Sequence, residues 1–257
     1  MIAGPCVVED HRTMMTVAER LVSLGRSLGM AVCFKASFDK ANRSRGDAPR
    51  GPGLAAGLEI LARVREASGL PILSDVHETE QAAVAAEVVD VLQVPAFLCR
   101  QTDLLVACGR TGKPVNVKKG QWMDPASMAG ALDKVRQGGS SEVAATERGT
   151  FFGYGDLVVD IRNFDRMRKA TGAAVLFDAT HSVQRSGHGA AGSSGGDRDA
   201  IPNLLMAAAG AGADGFFIET HPDPSRALSD RETQWPLDQL GPLLSRAVAV
   251  WRTARGV

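Results

Sequence analysis

The chain has 257 residues, with 29 Lys and Arg balanced by 29 Asp and Glu and 44% of its residues hydrophobic. That length allows one large domain or two small ones, with a substantial core, while the charge balance gives no reason to expect a nucleic-acid footprint or a polybasic membrane patch, so any anion site must be a local cluster. No apolar run approaches the ~20 residues of a membrane span, and the opening Met1-Ile2-Ala3-Gly4-Pro5 lacks the regions of a signal peptide, which makes the cytoplasm the expected location.

Taken in order, short β-branched runs alternate with Ala/Leu-rich segments of helical period. Ile2–Val7 leads into "TMMTVAERLVSLGRSLG", Ala31–Ala36 into "LAAGLEILARVREASG", Pro71–Val76 into "TEQAAVAAEVVD" and Val91–Pro95 into "QTDLLVACGRTG". Pro114–Lys118 then precedes "MAGALDKVRQGG", Val143–Glu147 precedes "NFDRMRKATG", Ala174–Ala179 precedes "IPNLLMAAAGAGA", and Gly215–Thr220 precedes "LDQLGPLLSRAVAVWRTARG". Several helical segments close on Gly, the usual C-terminal stop. Eight strand–helix units over ~250 residues predict a (β/α)8 TIM barrel as a single domain spanning 1–257. The competing doubly wound open sheet lacks its GxGxxG after the first strand.

Cys6, Cys33, Cys99 and Cys108 form no CxxC pattern and are expected to be reduced thiols, the last three as small core residues. Trp122, Trp235 and Trp251 read as packing residues, His11 and His188 as exposed ones, and the Gly/Ser-rich segment Gln184–Asp199 either as a merely flexible loop or as a lid beside the active rim.

A barrel active site lies at the C-terminal ends of the strands. Those ends deliver Cys6, Lys35, Asp75 with His77, Gln93, Lys118 with Lys119, Glu147 with Arg148, Asp178 with His181, and Glu219 with His221 to one rim. Lys35, Lys40, Lys118 and Arg148 would converge there as a phosphate site, whereas Arg45 and Lys119 read as solvated surface cations. A second set, Cys6, His181, Glu219 and Asp230, comes from three contiguous strands of a closed barrel. A thiolate, an imidazole and two carboxylates suit Zn, Fe(II), Mn or Co. The same residues read equally well as a core thiol with unrelated rim groups, and spacing alone leaves both readings open.

The segments "FKASFDKANRS", "LQVPAFLCRQTDLL", "VNVKKGQ", "ERGTFFGY", "FDATHSVQ" and "FIETHPDP" closely resemble the 3-deoxy-D-manno-octulosonate 8-phosphate synthases, from Ala3-Gly4-Pro5-Cys6 to "LSDRETQWPL". The resemblance implies a homotetrameric barrel that condenses phosphoenolpyruvate with arabinose 5-phosphate. It places Lys35, Ser37, Lys40, Gln93, Lys118 and Arg148 in the phosphoenolpyruvate pocket, and Asn42, Arg43 and Ser44 on the sugar phosphate. Arg100, within Pro95–Arg100, would reach a neighbouring subunit's site. Lys40, Lys118, Arg148 and His181 form the implied catalytic set. A cysteine at position 6 marks the metal-dependent type, with a divalent ion on Cys6, His181, Glu219 and Asp230. After Ser44, "RGDAPRGPG" departs from the pattern usual in that family, which puts the closing of this loop over the sugar phosphate in question. Two rivals are a heptulosonate-phosphate synthase taking erythrose 4-phosphate, against which "KANRS" argues, and a non-catalytic phosphosugar-binding barrel.

Overall fold

The computed structural model describes residues 1–43, 46–185 and 195–257. Ile2–Gly4, Cys33–Lys35, Ile72–Asp75, Val91–Val94, Val115–Lys118, Val143–Glu147, Ala174–Asp178 and Gly215–His221 pair in parallel, each with the next. The first strand also pairs with the eighth, setting Ile2 opposite Phe217 and Gly4 opposite Glu219, so the sheet closes as the expected (β/α)8 barrel. The helices follow as α1 (His11–Leu28), α2 (Leu54–Ser68), α3 (Thr79–Ala86), α4 (Thr102–Arg110), α5 (Met128–Gly138), α6 (Asn163–Thr171), α7 (Ile201–Gly210) and α8 (Leu240–Arg255).

Local chemistry sets these boundaries. The Asp10 side chain accepts from Thr13 N and caps α1, while Gly29 ends it in the left-handed conformation. Between them Met14, Val17, Ala18, Leu21 and Leu24 form the buried stripe that lays the helix on the sheet. Gly4 serves a different purpose: a Cβ there would stand 2.1 Å from the Lys35 carbonyl oxygen. Only glycine lets the first strand run this close to the second, and that approach sets Cys6 beside Lys35, whose Nζ donates to the Cys6 carbonyl at 2.9 Å.

The main core lies between sheet and helices. A separate cluster of Ile2, Leu73 and Phe217 is apolar, and the Phe217 ring lies 3.7 Å from Lys118 Nζ and 5.6 Å from Lys35 Nζ. Polar side chains thus begin where this cluster ends.

Two features depart from expectation. Thr150–Gly153 and Asp156–Val158 form an antiparallel hairpin after the sixth strand. Lys119 is not a solvated cation but is fully buried, 3.3 Å from Glu147 Oε1. Its Nζ also donates to the Gly149 carbonyl and to Thr150 Oγ1, at 3.3 and 3.2 Å, and so pins the base of the hairpin. Strand alternation sends Lys118 to the inside of the barrel and its neighbour to the other side, where only a charged partner makes burial tolerable. Lys119→Met is therefore expected to destabilise the fold by about 3 kcal/mol, measured as a lower urea midpoint. An unchanged midpoint would show that the pair contributes nothing.

Candidate active site

A cavity of about 960 Å³ opens at the C-terminal ends of the strands. Its lining includes Lys35, Lys40, Asn42, Arg43, Gln93, Lys118, Arg148, His181, Glu219 and Asp230. Cys6 and Ser37 are fully buried just behind the lining. Arg100 is exposed beyond the Ala96–Leu98 turn and does not line the cavity. Ser44, Arg45 and His188 lie outside the described residues, as does most of Gln184–Asp199.

The cations divide into two kinds. Lys35 Nζ sits 2.5 Å from Glu219 Oε1, and Lys118 Nζ sits 2.7 Å from Asp178 Oδ2. Lys40 Nζ donates to Ser37 Oγ at 2.9 Å and lies 4.0 Å from Asp75. Burial opposes the Lys40 charge, but the carboxylates of Glu219, Asp75 and Asp230 help to outweigh it and raise the ammonium's pKa. Arg148 and Arg43 are different. Among the described residues no carboxylate lies within ion-pair distance of either. Arg148 is 4% exposed; its Nη2 donates to Gln184 Oε1, and its Nη1 is buried without a partner. Arg43 donates to Ser229 Oγ at 2.6 Å and to the Pro49 carbonyl at 2.8 Å, and its Nη2 also lacks a partner. A guanidinium stays charged even where burial lowers its pKa, as it does for Arg148. Burying one without an anion costs several kcal/mol, and an incoming anion removes that cost.

Directly beside these cations, ligand atoms of Cys6, Glu219 and Asp230 lie within 4.8 Å of one another. Cys6 Sγ donates to Asp230 Oδ2 at 2.9 Å. His181 stands at the edge of this trio, with Nε2 3.6 Å from Glu219 Oε1 and Nδ1 2.8 Å from Asp178 Oδ2. Asp178 thus orients the ring so that its other nitrogen faces the cluster, the arrangement that ligating histidines use. Burial, then Asp230 and Glu219, push the Cys6 thiol well above its usual range. Glu219 Oε2 is buried with no hydrogen-bond partner. An orphaned carboxylate oxygen beside a thiol and a second carboxylate fits a bound cation, so the donor set suits a divalent metal. Asp230 holds a positive φ of 50°, a conformation costly for most residues but tolerated by Asp.

Several residues that complete the site carry contacts that sequence reading did not assign to them. Gln184 links the cations to the acidic cluster, accepting from Arg148 and donating to Asp230 Oδ1 at 2.7 Å. Gln234 accepts from Cys6 N at 3.3 Å and donates to the Ser229 carbonyl at 2.8 Å. Asp178 is a buried partner of both Lys118 and His181. The only signal for Gln184 is its place at the end of "FDATHSVQ"; Gln234 has none. Trp122 is not a core residue: it is 45% exposed, its ring 5.8 Å from that of Phe97, which lines the cavity mouth.

Residues 1–251 match the DAHP synthetase I family. The 2-dehydro-3-deoxyphosphooctonate aldolase of Syntrophotalea carbinolica is 52% identical over 256 residues, covering 100% of this chain and 92% of that protein. The proteins of the same name from Nitratidesulfovibrio vulgaris strain DP4 and Verminephrobacter eiseniae are 52% and 54% identical, covering 98% and 97% of the chain and 91% and 89% of their own lengths. That name is a synonym for the octulosonate-phosphate synthases that the sequence motifs resemble. The chain belongs to the DAHP synthetase I family, among its 2-dehydro-3-deoxyphosphooctonate aldolases.

Proposed function

We propose that residues 1–257 act as one catalytic barrel that condenses phosphoenolpyruvate with D-arabinose 5-phosphate and water, giving 3-deoxy-D-manno-octulosonate 8-phosphate and inorganic phosphate for lipopolysaccharide precursor synthesis. The observation that carries this reading is Arg148, a buried guanidinium on the cavity wall with no carboxylate partner among the described residues. Arg43, half-buried on the cavity wall and with no carboxylate partner among the described residues, is a second such cation, so the cavity offers cationic sites for two phosphates, as two phosphorylated substrates require. Phosphoenolpyruvate takes Lys35, Ser37, Lys40, Gln93, Lys118 and Arg148; the sugar phosphate takes Asn42, Arg43 and Ser44.

The substrates are both anions and repel each other. Fixed positive charge that brings them together replaces hydration with preorganised partners, and positioning of this kind accounts for a large share of a bimolecular barrier. The C2=C3 electrons of phosphoenolpyruvate form the new bond to the aldehyde carbon, whose oxygen gains a proton. Water adds at C2 and loses a proton, and the resulting hemiketal phosphate collapses with C–O cleavage to the ketone and phosphate. Lys118, held by Asp178 and resting on Phe217, keeps its charge facing the cavity, while Lys40 and Arg148 balance the charge of the departing phosphate. Cys6, His181, Glu219 and Asp230 would hold a divalent ion (Zn, Fe(II), Mn or Co), and such an ion when bound supplies a Lewis acid for the aldehyde and an acidified water.

A homotetramer belongs to this reading. Phe97, Trp122, Phe152 and Tyr154 are 48%, 45%, 95% and 109% exposed, an apolar set that association would cover. Arg100, also exposed, would then face a neighbour's cavity. Cytoplasmic operation follows from the phosphorylated substrates, and no helix among the described residues is long and apolar enough to cross a membrane. Neither a membrane nor a nucleic acid is a partner in this reading.

The test offers phosphoenolpyruvate with either sugar. Phosphate release with arabinose 5-phosphate and little with erythrose 4-phosphate is expected. Preference for erythrose 4-phosphate would move the chain to the heptulosonate-phosphate reaction, and binding without release would make it a non-catalytic barrel.

A further inference from the structure

Below the cavity, a line of hydrogen bonds crosses the barrel from strand to strand. Thr146 Oγ1 donates to Asn116 Oδ1 at 2.7 Å, Asn116 Nδ2 donates to Gln93 Oε1 at 2.8 Å, and Gln93 Nε2 donates to Asp75 Oδ1. From the other side Ser37 Oγ donates to Asp75 Oδ2 at 2.5 Å and accepts from Lys40 Nζ at 2.9 Å. Thr146, Asn116, Gln93, Asp75 and Ser37 are all buried.

The direction of this line is forced. Burial works against ionisation of Asp75, but Lys35, Lys40 and Lys118 outweigh it and hold its carboxyl far below the usual carboxylate range. An ionised carboxylate only accepts. Gln93 must therefore turn its amide nitrogen to Asp75 and its oxygen to Asn116, and Asn116 must turn its nitrogen to Gln93 and its oxygen to the Thr146 hydroxyl. Every amide is locked. Gln93 lines the cavity, whereas Asn116 and Thr146 do not.

We propose that Asn116 and Thr146 are positioning residues, which fix the Gln93 amide so that it meets the phosphoenolpyruvate anion with an N–H donor and not with its oxygen. This rests on the reading that the cavity binds phosphoenolpyruvate. An amide free to rotate would present its carbonyl to the anion for part of the time, and a reversed one would do so permanently while setting its oxygen against Asp75.

The experiment measures phosphoenolpyruvate binding by calorimetry in the parent chain and in Asn116→Asp, Thr146→Val and Thr146→Ser, together with melting temperature and the KM for arabinose 5-phosphate. An ionised aspartate at 116 can only accept, so Gln93 stands between two carboxylates, either orientation sets its oxygen against one of them, and its amide loses the fixed direction. Asn116→Asp is expected to weaken phosphoenolpyruvate binding about tenfold or more, Thr146→Val about threefold, and Thr146→Ser hardly at all. The KM for arabinose 5-phosphate should stay near the parent value throughout. If Asn116→Asp does not fold, the valine and serine pair decides, since serine keeps the terminal hydroxyl and valine keeps only the shape. A lower melting temperature with unchanged phosphoenolpyruvate affinity, or equal affinities in the valine and serine variants, overturns the inference while leaving the proposed reaction standing. A parent chain that does not bind phosphoenolpyruvate overturns both.

Discussion

Arg148→Ala is expected to lower the rate of phosphate release about 10²–10³-fold while leaving the protein folded and at least as stable as the parent. The two effects have one cause. The guanidinium is 4% exposed and meets no carboxylate among the described residues, so in the unliganded protein it is a buried charge whose desolvation is not offset by an ion pair. Removing it relieves that cost. With substrate bound the same group becomes a forked partner for a phosphate, a role that a lysine, as a point charge on a flexible stem, fills only in part. Arg148→Lys should therefore recover some of the lost rate but not all of it. Steady-state phosphate release and thermal melting read the two halves separately. A variant that keeps most of its rate, or loses stability in step with rate, would mean that Arg148 is a structural cation.

The second large effect concerns Cys6. Cys6→Ala should remove bound metal and cut turnover about 10²-fold or more, with the fold intact. Sγ, Glu219 and Asp230 crowd one point, and Glu219 Oε2 has no partner there. Without a cation this is an arrangement of mutually repelling groups, partly relieved by Lys35 on Glu219 and by retention of the proton on Cys6, whose pKa is driven up by burial and by the two carboxylates. Deleting the thiol eases that crowding, so the alanine variant has no reason to unfold. Metal analysis beside the activity assay separates loss of the ion from loss of structure. Parent-like activity in an alanine variant without metal would reduce Cys6 to a core thiol.

What the sequence discloses about this protein follows strand alternation and helix stops. Val143–Glu147 is observed with the boundaries that β-branching and flanking polarity predict, and α1, α2 and α6 end on the glycines that mark their stops. The rim position of Lys35, Lys118 and Glu219 is equally legible, because a polar residue ending an apolar run has few other places to go. Lys118 and Lys119 show the limit. Both are charged and adjacent, and alternation sends them to opposite sides, but nothing local reveals that the outer one meets Glu147, 28 residues later in the chain, in a fully buried pair. Gln184, Gln234 and Asn116 escape for the same reason. Each is uncharged and lies in an unremarkable neighbourhood, and its role exists only once barrel closure supplies partners from distant strands. The hairpin after Glu147 is hidden by its composition, since Gly149, Gly153 and Gly155 read as loop and the pairing of Thr150 with Val158 spans an irregular register.

The decisive measurement is a titration of demetallated chain with a divalent ion, reading phosphate released from phosphoenolpyruvate in the presence of arabinose 5-phosphate. Release should rise from near zero in proportion to bound ion and level off at about one ion per chain, with erythrose 4-phosphate supporting little at any point. Full release from chain carrying no ion, or none from fully loaded chain, would contradict the joint assignment of the Arg148 wall and the Cys6 cluster to one reaction.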